Sequence, residues 1–166
     1  MRYCLGVVAL LLLSACGNKL TPQEKVARDE RDIAMVEKAN RGTAIPISPQ
    51  PILFPDIKAN DLFGIGCAFV AKGGGLGAVM IARTDDGFMK LKDEMIRFAA
   101  DKGSAELPYG TRERYAGKKY AFHLALASQK SVRSGTETAD YDGRLSVQDD
   151  KGHIVYNELG TIQCGN

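Results

Sequence analysis

KYAFHLALA (residues 119–127) alternates along its whole length. Tyr120, Phe122, Leu124 and Leu126 fall on one side of an extended chain, and Ala121, His123, Ala125 and Ala127 fall on the other. Successive side chains of a strand point to opposite faces, so this spacing predicts a β-strand with its large apolar face turned to a core.

The same period recurs on both sides of it. GIGCAFVA (64–71) alternates small and large residues, and GAVMIART (77–84) is rich in β-formers. FMKLK (88–92) follows the turn signal Asp85-Asp86-Gly87, and MIRFAA (95–100) comes close behind. GRLSVQD (143–149) and GHIVYNE (152–158) predict a hairpin around Asp150-Lys151-Gly152, and GTIQCG (160–165) predicts a closing strand. MIRFAADK (95–102) also fits a short helix. Seven or eight short antiparallel strands separated by turn signals predict a mainly β domain over residues 56–166, a compact barrel or sandwich.

Upstream the period changes. Thr21 as N-cap, Pro22 in the first turn, Glu24 as the partner of a capping box and Gly42 past the end predict a helix over residues 21–41. Its apolar residues, Val26, Ile33, Met35 and Val36, make an incomplete stripe, which predicts a mostly solvated helix. Pro46, Pro49, Pro51 and Pro55 follow, interleaved with apolar residues, and predict an extended spacer. The expected organisation is therefore a leader at 1–15, a helix and Pro-rich linker at 16–55, and a β-domain at 56–166.

Arg2 and an apolar run from Leu5 to Leu13 begin the chain. The run is well short of the ~20 residues that cross a bilayer as a helix, and it reads as the core of a secretory signal. Leu13-Ser14-Ala15-Cys16-Gly17 resembles the bacterial lipobox, in which the cysteine is acylated and becomes the first residue after cleavage. An ordinary signal peptide beside a chance cysteine is the alternative. The lipobox resemblance implies three acyl chains on Cys16 and stable attachment to a membrane, at ~0.8 kcal/mol per buried CH₂. By the sorting rule of enteric lipoproteins, Gly17 in place of aspartate implies the outer membrane, facing the periplasm.

Of the 4 cysteines, Cys4 leaves with the signal and Cys16 carries lipid, so Cys67 and Cys164 remain. In an oxidising compartment they are expected to form a disulfide. A reactive or metal-binding pair is the alternative, and no histidine stands near either in sequence. Loss of residues 1–15 removes only Arg2 from 22 basic residues set against 20 acidic ones. The mature surface is nearly neutral, which argues against nucleic-acid binding.

No catalytic signature stands out. KGGGLG (72–77) lacks the Lys-Ser/Thr ending of a phosphate loop and is followed by a β run. The two histidines, His123 and His153, lie in expected strands without a local carboxylate motif, so no metal or cofactor is expected. No Gly-x-Ser-x-Gly elbow is present, and the Asp-rich turns lack the spaced oxygens of a calcium loop. The stretch LPYGTRERYAGKKY (107–120) mixes aromatics with cations, and Tyr109, Arg112, Arg114, Tyr115, Lys118 and Lys119 are the candidate partner-binding residues, suited to a sugar, peptide or protein. SQKSVRSGTETADYDG (128–143) is polar and aperiodic and is expected to be a loop.

The layout from Gly66-Cys67-Ala68-Phe69 through Met89-Lys90 to Gly165 resembles uncharacterised lipoproteins of alphaproteobacteria, which implies no particular activity. A weaker similarity is to the periplasmic lipoproteins that inhibit C-type lysozyme, which are β-barrels with a disulfide between early and late strands. Their Ser-Gly-x-x-Tyr loop has only a loose counterpart in SGTETADY (134–141), where Tyr141 is too distant from Ser134-Gly135, so no inhibitor residue carries over. The expected function is a membrane-anchored, non-enzymatic binding module of the periplasm. Lysozyme inhibition, an accessory role in envelope assembly and an envelope hydrolase are the alternatives.

Overall fold

The computed structural model describes residues 21–75 and 77–166. The signal segment, Cys4 and the lipobox cysteine Cys16 lie outside the described residues. The chain divides into two units at Gly42–Thr43, and each is described by itself.

The first unit contains helix α1, Pro22–Arg41. Thr21 caps it: the Thr21 hydroxyl accepts from the Glu24 N–H at 3.3 Å, and Glu24 accepts from the Thr21 N–H at 2.8 Å. Two amide hydrogens that the helix leaves without a partner are thereby satisfied reciprocally. Val26, Ile33, Met35 and Val36 are all more than half exposed, as the thin apolar stripe predicts.

The second unit carries nine strands among the described residues: β1 Gly66–Ala71, β2 Met80–Ala82, β3 Asp86–Leu91, β4 Glu94–Ala100, β5 Arg114–Ala116, β6 Tyr120–Leu126, β7 Val132–Arg133, β8 Ala139–Asp149 and β9 Ile154–Gly165. Their order is β6-β5-β4-β3-β2-β1-β9-β8, and β8 pairs back onto β6, which closes an eight-stranded antiparallel barrel. The short β7 adds one further strand beside β8. Closure removes the free edges that an open sheet would expose. MIRFAA forms strand β4, so the helical alternative for that stretch does not hold.

Alternation fills the interior as the period requires. Phe69, Met80, Met89, Phe98, Tyr115, Phe122, Leu124, Leu145, Val147 and Ile162 are buried in one core. Phe122 stacks on Tyr115 at 4.6 Å and meets Phe98 edge-on at 5.0 Å. Phe122 and Tyr115 pack over Gly87, where a Cβ would stand 2.6 Å from Phe122 Cζ. Cys67 and Cys164 are register partners on β1 and β9, and their sulfurs are bonded at 2.06 Å, joining the first barrel strand to the last.

Two segments close the barrel mouths. At one, a 3₁₀ turn at Pro108–Gly110 and its flanks lie over the disulfide, with Leu107 and Thr111 buried and Cys67 Sγ 3.5 Å from Thr111 Oγ1. At the other, the proline-containing stretch crosses the strand ends. The Ile47 N–H donates to Val155 O, the Gln50 N–H to Lys90 O and the Ile52 N–H to Ala78 O. Gln50 also grips the β3–β4 turn, donating from its amide to Asp93 Oδ1 and accepting from the Asp93 N–H at 2.6 Å. Lys92 and Asp93 both have positive φ there, the conformation of a type I′ turn without its usual Asn-Gly.

Several expectations are corrected. The compact unit begins at Thr43 and not near residue 56, because Ile47, Gln50 and Ile52 bond to the barrel and the stretch does not stand off it as a spacer. Residues Phe54–Ala59 form a helix, α2, capped by Asp56, whose carboxylate accepts from the Leu53 N–H at 2.9 Å and from Lys90 Nζ at 2.8 Å. Both contacts, Lys90 foremost, hold the Asp56 carboxyl below its usual range. Asp86 and Gly87 belong to β3 and not to a turn. GHIVYNE and GTIQCG are one continuous strand, β9, and His153 lies in the turn that precedes it. Strand β7 and the start of β8 run through the stretch expected to be a loop.

Candidate functional site

The barrel has two unlike outer faces. Over β2, β3 and β4 the outward side chains Ile81, Phe88 and Met95 are covered by Ile52, Ile57 and Leu62, from α2 and its flanks. Beside this apolar pad Asp86 is buried and held by two arginines: Arg83 at 2.7 Å and Arg97 at 2.9 Å. The hydrogen bond from Arg83, then burial working the other way, then Arg97, leave the Asp86 carboxyl below its ordinary value.

Over β5, β6 and β8 the outer face has a depression of about 410 Å³. Its lining follows from register. The Asp101 N–H donates to Arg114 O, continuing the β4–β5 ladder, and Arg114 pairs with His123, which pairs with Ser146. One polar row therefore crosses four neighbouring chains: Asp101, Arg114, His123, Ser146. The adjacent row is Ala99, Ala116, Ala121, Gln148. Directly opposed side chains stand ~4.5–5.5 Å apart at Cβ, so the short alanines leave a trough bounded by the longer polar row and by Gln148.

The trough is polar and open. Arg114 is exposed, and among the described residues its guanidinium has no ion-pair or hydrogen-bond partner. Its backbone N–H is held by Ser104 Oγ at 3.2 Å. Asp101 Oδ1 accepts from the Gly103 N–H at 2.9 Å, leaving its other oxygen available. His123 Nε2 stands 3.7 Å from Glu113 Oε2. Ser146 and His123 are register partners, but no hydrogen bond joins their side chains among the described residues. The arrangement can donate from Arg114, Ser146 and Gln148 and accept at Asp101. It offers recognition at several points over a small apolar floor.

The expected partner-binding residues do not converge. Of the six, Arg114 and Tyr115 line the trough, and only Arg114 turns its side chain outward there. Tyr109 sits on the 3₁₀ turn at φ 60°, and its hydroxyl donates to Glu137 O at 2.9 Å. Arg112 pairs with Glu106 at 3.2 Å and donates to Ser104 O. Lys118 and Lys119 are exposed on the β5–β6 turn, which the Gly117 N–H closes onto Tyr120 O at 2.8 Å. Tyr115 is a correction: it is 1% exposed, and its hydroxyl donates to Arg83 O at 2.7 Å and accepts from the Arg112 N–H at 2.9 Å. Burial pushes this phenol up, which keeps it protonated as a donor. Its ring is core, because the one-residue offset from Arg114 turns it inward.

Sequence reasoning missed Asp101, Ala116, Ala121, Ser146 and Gln148 as a set. The available signal was the small outward face of KYAFHLALA; which residues of other strands stand beside it depends on register.

His153 lies apart from the trough in the β8–β9 turn. Asp149 accepts there from the Lys151 N–H, the His153 N–H and His153 Nδ1, the last at 2.9 Å. Burial raises the Asp149 carboxyl, but the His153 and Lys151 contacts outweigh it and leave it low. SGTETADY spans the β7–β8 connection and the first residues of β8, with Ser134 Oγ bonded to Asp140 at 2.7 Å and Tyr141 packed against the core. The described residues contain no helix long and apolar enough to cross a membrane. No known protein family, curated protein or solved structure matches the chain.

Proposed function

We propose that the chain is a lipid-anchored binding module of the bacterial envelope, acylated on Cys16, facing the periplasm at the outer membrane, and taking its ligand in the trough over β5, β6 and β8. The observation that carries the binding reading is the contrast between the two outer faces. One is sealed by α2 and its flanks. The other is left bare, concave and lined by convergent polar side chains over alanines. Pockets with a small apolar surface and a few placed polar groups are where small ligands bind. The anchoring rests on Leu13-Ser14-Ala15-Cys16 and the short apolar run before it.

Two measurements test this reading. Replacing Cys16→Ser should abolish both processing and incorporation of labelled fatty acid; a variant that keeps its acyl label refutes the anchor. For binding, a soluble extract of the envelope is mixed with the mature protein and followed by ligand-observed NMR. Signals that broaden with the native chain should stay sharp with Ala121→Trp, which fills the trough from an outward position. Equal broadening by both proteins, or none by either, contradicts the assignment of the site.

A further inference from the structure

Resting on the reading of the trough as a binding site, we infer that its ligand is a short peptide with both termini free. The charges argue for it. A simple anion attracted to Arg114 would also face the carboxylate of Asp101, and towards His123 it would approach Glu113, which stands 3.7 Å from that ring. A simple cation drawn to Asp101 would face Arg114, whose guanidinium has no partner among the described residues. Like charges brought together at a site select against a ligand as surely as opposite charges select for one. A zwitterion satisfies both ends: its ammonium on Asp101, its carboxylate on Arg114 with His123 behind it.

Length argues the same way. Neighbouring strands lie ~4.8 Å apart, so Asp101 and Arg114 are one such step apart and Asp101 and His123 two, ~9.6 Å. A two-residue peptide extends over ~7 Å, between these distances. Its side chains would then lie over Ala116 and Ala121, whose short side chains leave space for them and no polar group to go unpaired. Ser146 and Gln148 line the same trough and offer hydrogen bonds to the peptide unit.

The test is calorimetry on the mature chain with L-alanyl-L-alanine, its N-acetyl derivative, which lacks the ammonium, and its C-terminal amide, which lacks the carboxylate. The free dipeptide should bind about tenfold or more tighter than either blocked form, as expected for one charge-assisted contact at each end. Asp101→Asn keeps the Oδ1 that holds Gly103 and should erase only the preference for the free amino group. Arg114→Gln should erase only the preference for the free carboxylate. Unchanged thermal unfolding of both variants confirms that the fold is intact. Equal binding of the acetylated form makes the trough an anion site, and equal binding of the amide makes it a cation site; either overturns the inference and leaves the binding reading standing. No binding of any of the three, while extract signals still depend on Ala121, overturns it in the same way. If neither the probes nor the extract respond to the trough variants, both readings fall.

Discussion

Two residues show how the barrel is held at single positions. Asp86 is 5% exposed and accepts from both Arg83 and Arg97, so its removal leaves the partly covered Arg83 without its carboxylate. Asp86→Asn is expected to cost about 2–3 kcal/mol at pH 7, read from the denaturant midpoint. Because its folded carboxyl titrates lower than in the unfolded chain, this contribution is present at neutral pH and lost as the pH falls. The gap between native and variant stability should therefore narrow below about pH 4; a gap that stays constant or widens in acid would contradict the ion-pair account. Gly87 is the second case. Adding a methyl under Phe122 and Tyr115 forces both rings aside, and Gly87→Ala should cost about 1–3 kcal/mol by the same assay. Neither role was legible beforehand. Asp85-Asp86-Gly87 looked like a turn by composition, whereas Asp86 is needed for its carboxylate and Gly87 for its missing side chain.

Elements built from local rules were legible, and those built by tertiary contact were not. The α1 cap, the β6 alternation and the Asp150-Lys151-Gly152 turn each rest on residues within a few positions of one another. Gly152 takes φ 81°, as that turn requires. The proline stretch obeys a different logic. Its prolines exclude it from a regular ladder, yet Ile47, Gln50 and Ile52 still spend their amides on Val155, Lys90 and Ala78. Strand β9 was cut in two at Gly160 because glycine ordinarily ends a strand; there a Cβ would collide with Val70 O and Phe69, so glycine is what lets the strand continue. These contacts make a sharp prediction. A mature chain beginning at Thr43 should unfold cooperatively with a stability within ~1 kcal/mol of the longer chain, since residues 22–40 are exposed. One beginning at Phe54 should lose about 3–5 kcal/mol, having lost buried Ile52, half-buried Ile47 and three backbone bonds. Equal stability of the two shortened chains would show that the stretch does not seal the barrel.

At the scale of the molecule, the disulfide, the closed sheet and the two covered mouths make up the second unit, whose outer face carries the trough. Cys67 and Cys164 are 97 residues apart, a separation for which the chain-entropy model gives ~4–5 kcal/mol. Replacing both with alanine should lower stability by about 3–5 kcal/mol without changing the barrel; an unaffected midpoint would refute the bond. That pairing was legible once Cys4 was read as part of a signal and Cys16 as lipidated, which left Cys67 and Cys164. The trough was not, because its rows join residues from four separate stretches, and only register sets Asp101, Arg114, His123 and Ser146 in line. The central claim is that this line is where the molecule meets its ligand, and an amide-shift map tests it most directly. The isotopically labelled mature protein is titrated with the envelope extract. The account predicts the largest shifts at residues 114–116, 121–123 and 146–148. Shifts centred on residues 53–65 or on the β7–β8 connection, or no shifts, would contradict it.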